Sequence, residues 1–250
     1  MSNTIKKRAV AESANLSRSI IAEKALALID RDGLDNFSVR NLANELGVFP
    51  TAIYWHIPSK NALLGEALNV VYKDLAIKRG RRTWQRALKE LMVDFRRALA
   101  RHPNIAPLVS AHLASNAAEE FGVTEYMLSL LVEAGFADAI LVQAYNTAIC
   151  AMVSFTALEF AAVPQGDLTK WQLQVQRRLI EVDPVEFPIL AANKPRLANK
   201  AFVLRWENGI NAPLHESFGF YVDTFIAGLE AQRAASAQLE GRRLSVRPRR

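Results

Sequence analysis

The stretch from Leu46 to Lys60 reads LGVFPTAIYWHIPSK, and it decides the fold. Leu42, Ala43 and Leu46 belong to an apolar-periodic helix, and Gly47 supplies the left-handed backbone at which such a helix can stop. Pro50 suits a first helical turn, where its missing N–H would have had no intrahelical partner. The helix it opens, about Pro50 to His56, carries Thr51, Tyr54, Trp55 and His56, a set too polar and aromatic for a core helix. Ile57-Pro58 ends it, and Ser59 is placed to cap the helix that follows. Helix, tight turn and short second helix make a helix-turn-helix, whose second helix enters the major groove of DNA.

Working outward, about Ser17 to Leu68 resembles the DNA-binding domain of the TetR family of transcriptional repressors. The residues that carry the resemblance are Asp32-Gly33-Leu34, Phe37-Ser38-Val39-Arg40, Leu42-Ala43, Leu46-Gly47-Val48, Tyr54-Trp55-His56 and Lys60-Asn61-Ala62-Leu63-Leu64. Tyr-Trp-His is the pattern of the family's tetracycline-responsive members. The resemblance implies an all-α chain, with an N-terminal three-helix reader followed by a helical ligand-binding and dimerisation domain. It also implies DNA-binding roles. Arg40 stands where those members read a base, and its guanidinium fork suits guanine O6 and N7. Thr51, Ala52 and Phe49 suit thymine methyl groups at the start of the recognition helix, beside Ser38 and Pro50. Tyr54, His56 and Lys60 are expected at phosphates, with Trp55 packed along the backbone. Val48 and Ile53 are expected in the core. Pro50-Thr51-Ala52 departs from the tetracycline-responsive pattern, which has its proline one position later, so their operator does not carry over.

Bulk composition agrees. The 250 residues are half apolar, with 11 Gly and 10 Pro, enough for a substantial core and unlike a disordered or fibrous chain. The opening MSNTIKKRAV lacks a secretory apolar stretch, and a single cysteine, Cys150, leaves no internal disulfide; both suit the cytoplasm. Cys150 itself reads as a small core residue. The net charge of +6 is concentrated before the reader, just after it and at the C-terminus. Residues 73–101 hold ten basic and three acidic side chains, whereas 236–250 hold five and one. Basic flanks suit salt-dependent phosphate contact.

The domain reading is therefore a basic flexible arm at 1–16, a reader at 17–64 with helix four reaching about residue 78, an effector-binding and dimerisation domain at 79–235, and a basic disordered tail at 236–250. Helices are expected over about 17–32, 39–46, 50–56, 60–78, 83–101, 105–114, 123–134, 137–162, 167–182, 198–206 and 215–233. Residues 183–196 (DPVEFPILAANKPR), with three prolines, read as an extended surface loop. Residues 139–158 carry no formal charge over a membrane-spanning length. Gln143, Asn146, Thr147, Ser154 and Thr156 interrupt them, so a buried helix is the reading and no membrane is expected.

The resemblance further implies a homodimer made by two long helices from each chain, matched by 137–162 and 215–233. A short recognition helix reads few base pairs, which independently calls for two half-sites. A small, largely apolar effector is expected, lined by Leu91, Phe95, His112, Tyr126, Leu130, Tyr145, Asn146, Ile149, Met152, Val153 and Trp171. A magnesium–tetracycline ligand is not expected, because Leu91 and Ala76 replace the polar drug contacts of the tetracycline-responsive members. No metal site, cofactor or catalytic residue is expected. The four histidines are scattered, and no nucleophile elbow or phosphate loop occurs. The functional expectation is a ligand-released DNA-binding repressor. The alternatives are the same dimer acting without a ligand or as an activator, and, more remotely, an enzyme on a helical scaffold.

Overall fold

The computed structural model describes residues 16–73, 75, 82–115, 121–164 and 166–245, excepting the side chains of 112–115, 139 and 239–245. These residues form α1 (Arg18–Asp32), α2 (Val39–Glu45), α3 (Pro50–His56), α4 (Lys60–Lys73), α5 (Trp84–Arg101), α6 (Ala106–Ser115), α7 (Gly122–Glu133), α8 (Asp138–Glu159), α9 (Leu168–Ile180), α10 (Pro188–Leu197) and α11 (His215–Ser245). One 3-10 turn, Pro103–Ile105, joins α5 to α6, and no strand occurs among the described residues. The chain divides into two compact units, one of residues 1–74, 97–119 and 156–214, the other of 75–96, 120–155 and 215–250.

In the first unit α1 packs along α4, α2 meets α3, and α1 also touches the Pro103–Ile105 turn. Ile21, Ala25, Ile29, Leu42, Ala43, Ile53, Ile57 and Ala67 are fully buried and form the reader's core. Ile20 is 44% exposed, and the inward stripe of α1 runs through Ile21, Ala25, Leu28 and Ile29. Ser17, Ser38 and Ser59 each accept a backbone N–H three residues on, at 3.3, 3.1 and 3.0 Å, and so cap α1, α2 and α4.

Residues 183–214 correct two expectations. Pro188–Leu197 is a helix rather than an extended loop. Pro188 occupies its first turn, where no donor is needed, and Pro195 falls in the last turn, where little helix remains to be broken. Residues 198–206, expected as a short helix, are turns, with Asn199 at φ 56° and Val203 at φ 73°. The Asn199 side chain holds that geometry: its oxygen accepts from Trp206 N (3.2 Å) and Glu207 N (3.1 Å), and its amide donates to Glu207 Oε2 (2.6 Å). Gly209 donates to Glu159 O at 2.7 Å, and buried Glu159 accepts from Leu214 N at 2.8 Å. A Cβ on Gly209 would lie 2.5 Å from Glu159 Cγ and 2.8 Å from the Phe160 ring.

In the second unit the first four turns of α5 lie against α11. Gln85 donates to Glu230 (2.6 Å), Lys89 pairs with Asp223, and Arg96 meets His215 (3.1 Å) and covers the Phe218 ring at 4.8 Å. Phe155 packs on Phe218 and Tyr221 with ring centroids 5.4 and 5.2 Å apart. By length and composition Ile140–Glu159 could cross a membrane. Its Ala144, Ala148, Ala151 and Phe155 are buried in the chain, while Gln143, Asn146, Thr147 and Ser154 are exposed together with Val142 and Leu158, so the helix expected to be buried is buried along one face only. Cys150 lies on that outward face, not in the core. The tail expected to be disordered from residue 236 is helical to Ser245, where Ala237 and Gln238 continue α11 with strong helix formers; residues 246–250 lie outside the described set, as does the arm at 1–15.

Gly209→Ala is expected to lower stability by about 1–3 kcal/mol through overpacking against Glu159 and Phe160. Gly219→Ala, inside α11 with open space around its Cβ, should raise stability by roughly 0.5–1 kcal/mol. Denaturant midpoints of the two variants check both signs.

Candidate nucleic-acid interface

The recognition helix α3 has seven residues and buries only Ile53. Its position is set by the turn before it. Val48 N donates to Ala43 O (3.0 Å) and Gly47 N to Asn44 O (3.2 Å), with Gly47 at φ 66°. This pair of bonds is the Schellman ending of a helix, which requires the left-handed residue that glycine supplies without strain. Ala52 N then donates to Phe49 O (2.9 Å), and Ile57 N to Ile53 O (2.9 Å) closes the far end.

The side chains left outside are those expected at DNA. Trp55 is 89% exposed, Phe49 73% and Tyr54 43%. Arg40, Thr51 and His56 are exposed, and Pro50 and Ala52 half-buried. Arg40, Thr51, Trp55 and His56 form no side-chain hydrogen bond or ion pair among the described residues. Two expected contacts are partly engaged within the chain. Ser38 Oγ is occupied as the cap of α2. Lys60 Nζ donates to Phe37 O at 3.1 Å and sits 5.8 Å from the Phe37 ring centroid, tying α4 to the turn before α2.

Several carboxylates of the reader are matched internally. Arg31 bonds both Asp32 (2.8 Å) and Glu45 (2.7 Å), Lys24 reaches Glu45 (3.0 Å), and Arg18 reaches Glu66 (3.1 Å). Hydrogen bonds from Arg31 hold the Asp32 and Glu45 carboxyls below their usual range and raise the guanidinium. Neutralising these acids within the domain weakens the repulsion that would otherwise meet a polyanion.

One attachment of the reader was not legible in the sequence. His102 Nδ1 lies 2.7 Å from Asp30 Oδ2, and Asn104 Nδ2 donates to Ile29 O (3.3 Å) and Asp30 O (3.0 Å) at the last turn of α1. His102-Pro103-Asn104 signals a turn, but nothing local pairs it with a residue more than seventy positions earlier.

The expected effector residues divide between the units. Leu91, Phe95, Tyr126, Leu130, Tyr145, Asn146, Ile149, Met152 and Val153 belong to the second, His112 and Trp171 to the first. Leu91, Phe95, Leu130, Met152 and Val153 are buried, Asn146 is exposed, and the His112 side chain lies outside the described residues. Tyr145 donates to Thr124 Oγ1 at 3.2 Å, and burial raises the Tyr126 phenol above its ordinary value. A groove of about 480 Å3 in the second unit is lined by other residues, among them Ile140, Gln143, Thr147, Phe225, Gly228 and Gln232. No group of three or more His, Cys, Asp or Glu side chains placed to hold a metal occurs among the described residues.

Residues 21–67 match the family described as bacterial regulatory proteins of the tetR family, and residues 78–233 match the tetracyclin repressor-like C-terminal domain. The chain belongs to the TetR family. Regulators of this family are DNA-binding transcription factors and not enzymes. The chain is 33% identical over 128 residues to the class D tetracycline repressor of Escherichia coli, covering 49% of this chain and 57% of that one, so it spans a little over half of that relative's length. It is 30% identical over 183 residues to an HTH-type transcriptional regulator of Saccharopolyspora erythraea, covering 72% of this chain and 75% of the relative. Apo ActR from Streptomyces coelicolor shares the fold, with a TM-score of 0.68 at 19% identity over 88% of this chain and 98% of that one. BioQ bound to its natural double-stranded DNA operator gives a TM-score of 0.54 at 28% identity over 64% of this chain and 95% of that one.

Lys60→Ala should cost about 1–2 kcal/mol of stability without any DNA, because a charged donor to Phe37 O is lost. A purely phosphate-directed lysine would leave the unfolding midpoint unchanged.

Proposed function

We propose that this TetR-family chain is a cytoplasmic homodimeric repressor that reads a near-palindromic DNA operator and leaves it on binding a small, largely apolar effector. The observation that carries the reading is the set of exposed side chains around α3, with Arg40 beside it on α2, held by a buried core; Arg40, Thr51, Trp55 and His56 among them form no side-chain hydrogen bond or ion pair among the described residues. Arg40 reads a guanine edge, Phe49, Thr51 and Ala52 meet thymine methyl groups, and Tyr54, Trp55, His56 and Lys60 line the backbone. Ser38 and Pro50 position these groups. Residues 17–64 are the reader, with α4 as its connector, and the arm at 1–16 adds phosphate contacts. Residues 79–235 bind the effector and form the dimer.

The dimer uses the outward faces of α8 and α11. On α11 the exposed positions Phe220, Thr224, Ala227, Gly228 and Ala231 form a mostly small-residue face along which a second helix can lie close. The adjoining groove around Ile140, Thr147, Gly228 and Gln232 has room for side chains of a second copy. Buried Leu91, Phe95, Leu130, Met152 and Val153, with Tyr126 and Tyr145 as polar anchors, support an effector that is mostly apolar and uncharged. Two solved relatives are in keeping: BioQ is bound to its DNA operator and ActR to actinorhodin.

Selection of duplexes from a random pool should enrich one near-palindrome. Arg40→Ala should then lose about 1–3 kcal/mol on it and relax a single base pair in each half-site. No enrichment, or binding that follows salt alone, contradicts the reading. Gly228→Arg should convert a two-chain particle in light scattering into one chain; an unchanged mass contradicts the proposed face.

A further inference from the structure

We propose that Phe49 makes this reader a sensor of the C5-methyl group of a pyrimidine. The base it covers is recognised by that methyl alone, so 5-methylcytosine opposite guanine serves there as well as thymine opposite adenine. The inference deepens the operator reading above and rests on it.

Phe49 stands on the turn between α2 and α3, 73% exposed and with no ring contact among the described residues. Its backbone is fixed on both sides. Val48 N donates to Ala43 O at 3.0 Å just before it, and its own carbonyl accepts from Ala52 N at 2.9 Å just after. Pro50 confines the residue before it to extended backbone, which Phe49 adopts at φ −79° and ψ 148°. The ring is therefore carried outward on a rigid turn.

Neither the core nor the helix accounts for a phenyl ring at this position. Phe49 immediately precedes α3 and gives it no side-chain hydrogen bond, where Ser, Thr, Asn or Asp would satisfy a backbone donor. An apolar ring left in water is stabilised only by what covers it on the DNA.

What the ring recognises there follows from its chemistry. In the major groove thymine shows a carbonyl acceptor and a methyl group, whereas cytosine shows an amino donor and no methyl. Methylation at C5 gives cytosine the methyl while keeping the amino donor. A phenyl ring has no donor or acceptor, so it separates these bases by the methyl and is blind to the exchange of carbonyl for amino group. Its neighbours on α3 share that blindness. Ala52 offers only a methyl, and the exposed Thr51 hydroxyl either donates to a carbonyl or accepts from an amino group. Arg40, whose guanidinium carries fixed donors, stands on α2 and is assigned to a guanine.

The test measures affinity of the full chain for the selected duplex, with each thymine replaced in turn, in both half-sites at once. The replacements are uracil opposite adenine, and cytosine or 5-methylcytosine opposite guanine. Uracil differs from thymine, and cytosine from 5-methylcytosine, by the methyl group only. Covering one methyl is worth about fourfold in binding, hence about fifteenfold over two half-sites. At one thymine, uracil and cytosine should each weaken binding by about fifteenfold, while 5-methylcytosine stays within about threefold of thymine. Phe49→Ala should abolish the difference between thymine and uracil at that position and leave the unfolding midpoint unchanged. Three results would overturn the inference: no thymine at which uracil costs more than about twofold, 5-methylcytosine as weak as cytosine, or a Phe49→Ala chain that still separates thymine from uracil. Each leaves the operator reading standing where Arg40→Ala still loses affinity on the same duplex. A pool that yields no selected duplex overturns both.

Discussion

A seven-residue helix with one buried side chain has no stability of its own. α3 therefore exists where it does because the Ala43–Val48 and Asn44–Gly47 hydrogen bonds end α2 at a fixed angle and because Ile53 fills a core made by other helices. That constraint shapes the reader's surface. With a single side chain committed inward, α3 can leave Thr51, Tyr54, Trp55 and His56 in solvent, and Phe49 and Arg40 flank them on the preceding turn and helix. Exposed aromatic surface of this size is unfavourable in water and makes sense where it is covered on binding.

The charges follow the same logic. Asp32, Glu45 and Glu66 are matched by Arg31, Lys24 and Arg18, whereas Arg40 forms no ion pair among the described residues. A base-reading arginine must be free of competing carboxylates, because an internal pair would have to be broken before guanine could be bound. Lys60 is a different case. Its bond to Phe37 O ties α4 to the turn before α2, a structural role independent of any contact with phosphate.

The reader was legible because its determinants are local: three serine caps, Gly47, Pro50 and an apolar period that Ile21, Ala25, Leu28 and Ile29 complete. Failures came where long-range contacts override local signals. The prolines of 183–196 suggested a loop, yet Pro188 and Pro195 sit at the two ends of α10, where a helix tolerates them. Residues 198–206 looked helical, but Asn199 bonds Trp206 and Glu207 through its side chain and holds a turn. Dense arginines hid the helical continuation of α11, and the Asp30–His102 contact joins segments that no sequence period relates. Most of the candidate effector residues are apolar, and apolarity finds buried positions such as Leu91 and Phe95 without separating pocket lining from core.

The central claim is that two exposed readers of this kind act together on one duplex. Sedimentation of the protein with a selected duplex, and with the same duplex cut to a single half-site, tests it most directly. The account predicts two chains on the full duplex and, on the half-site, binding weaker by at least about a hundredfold. One chain bound to the full duplex with undiminished affinity for the half-site would contradict it.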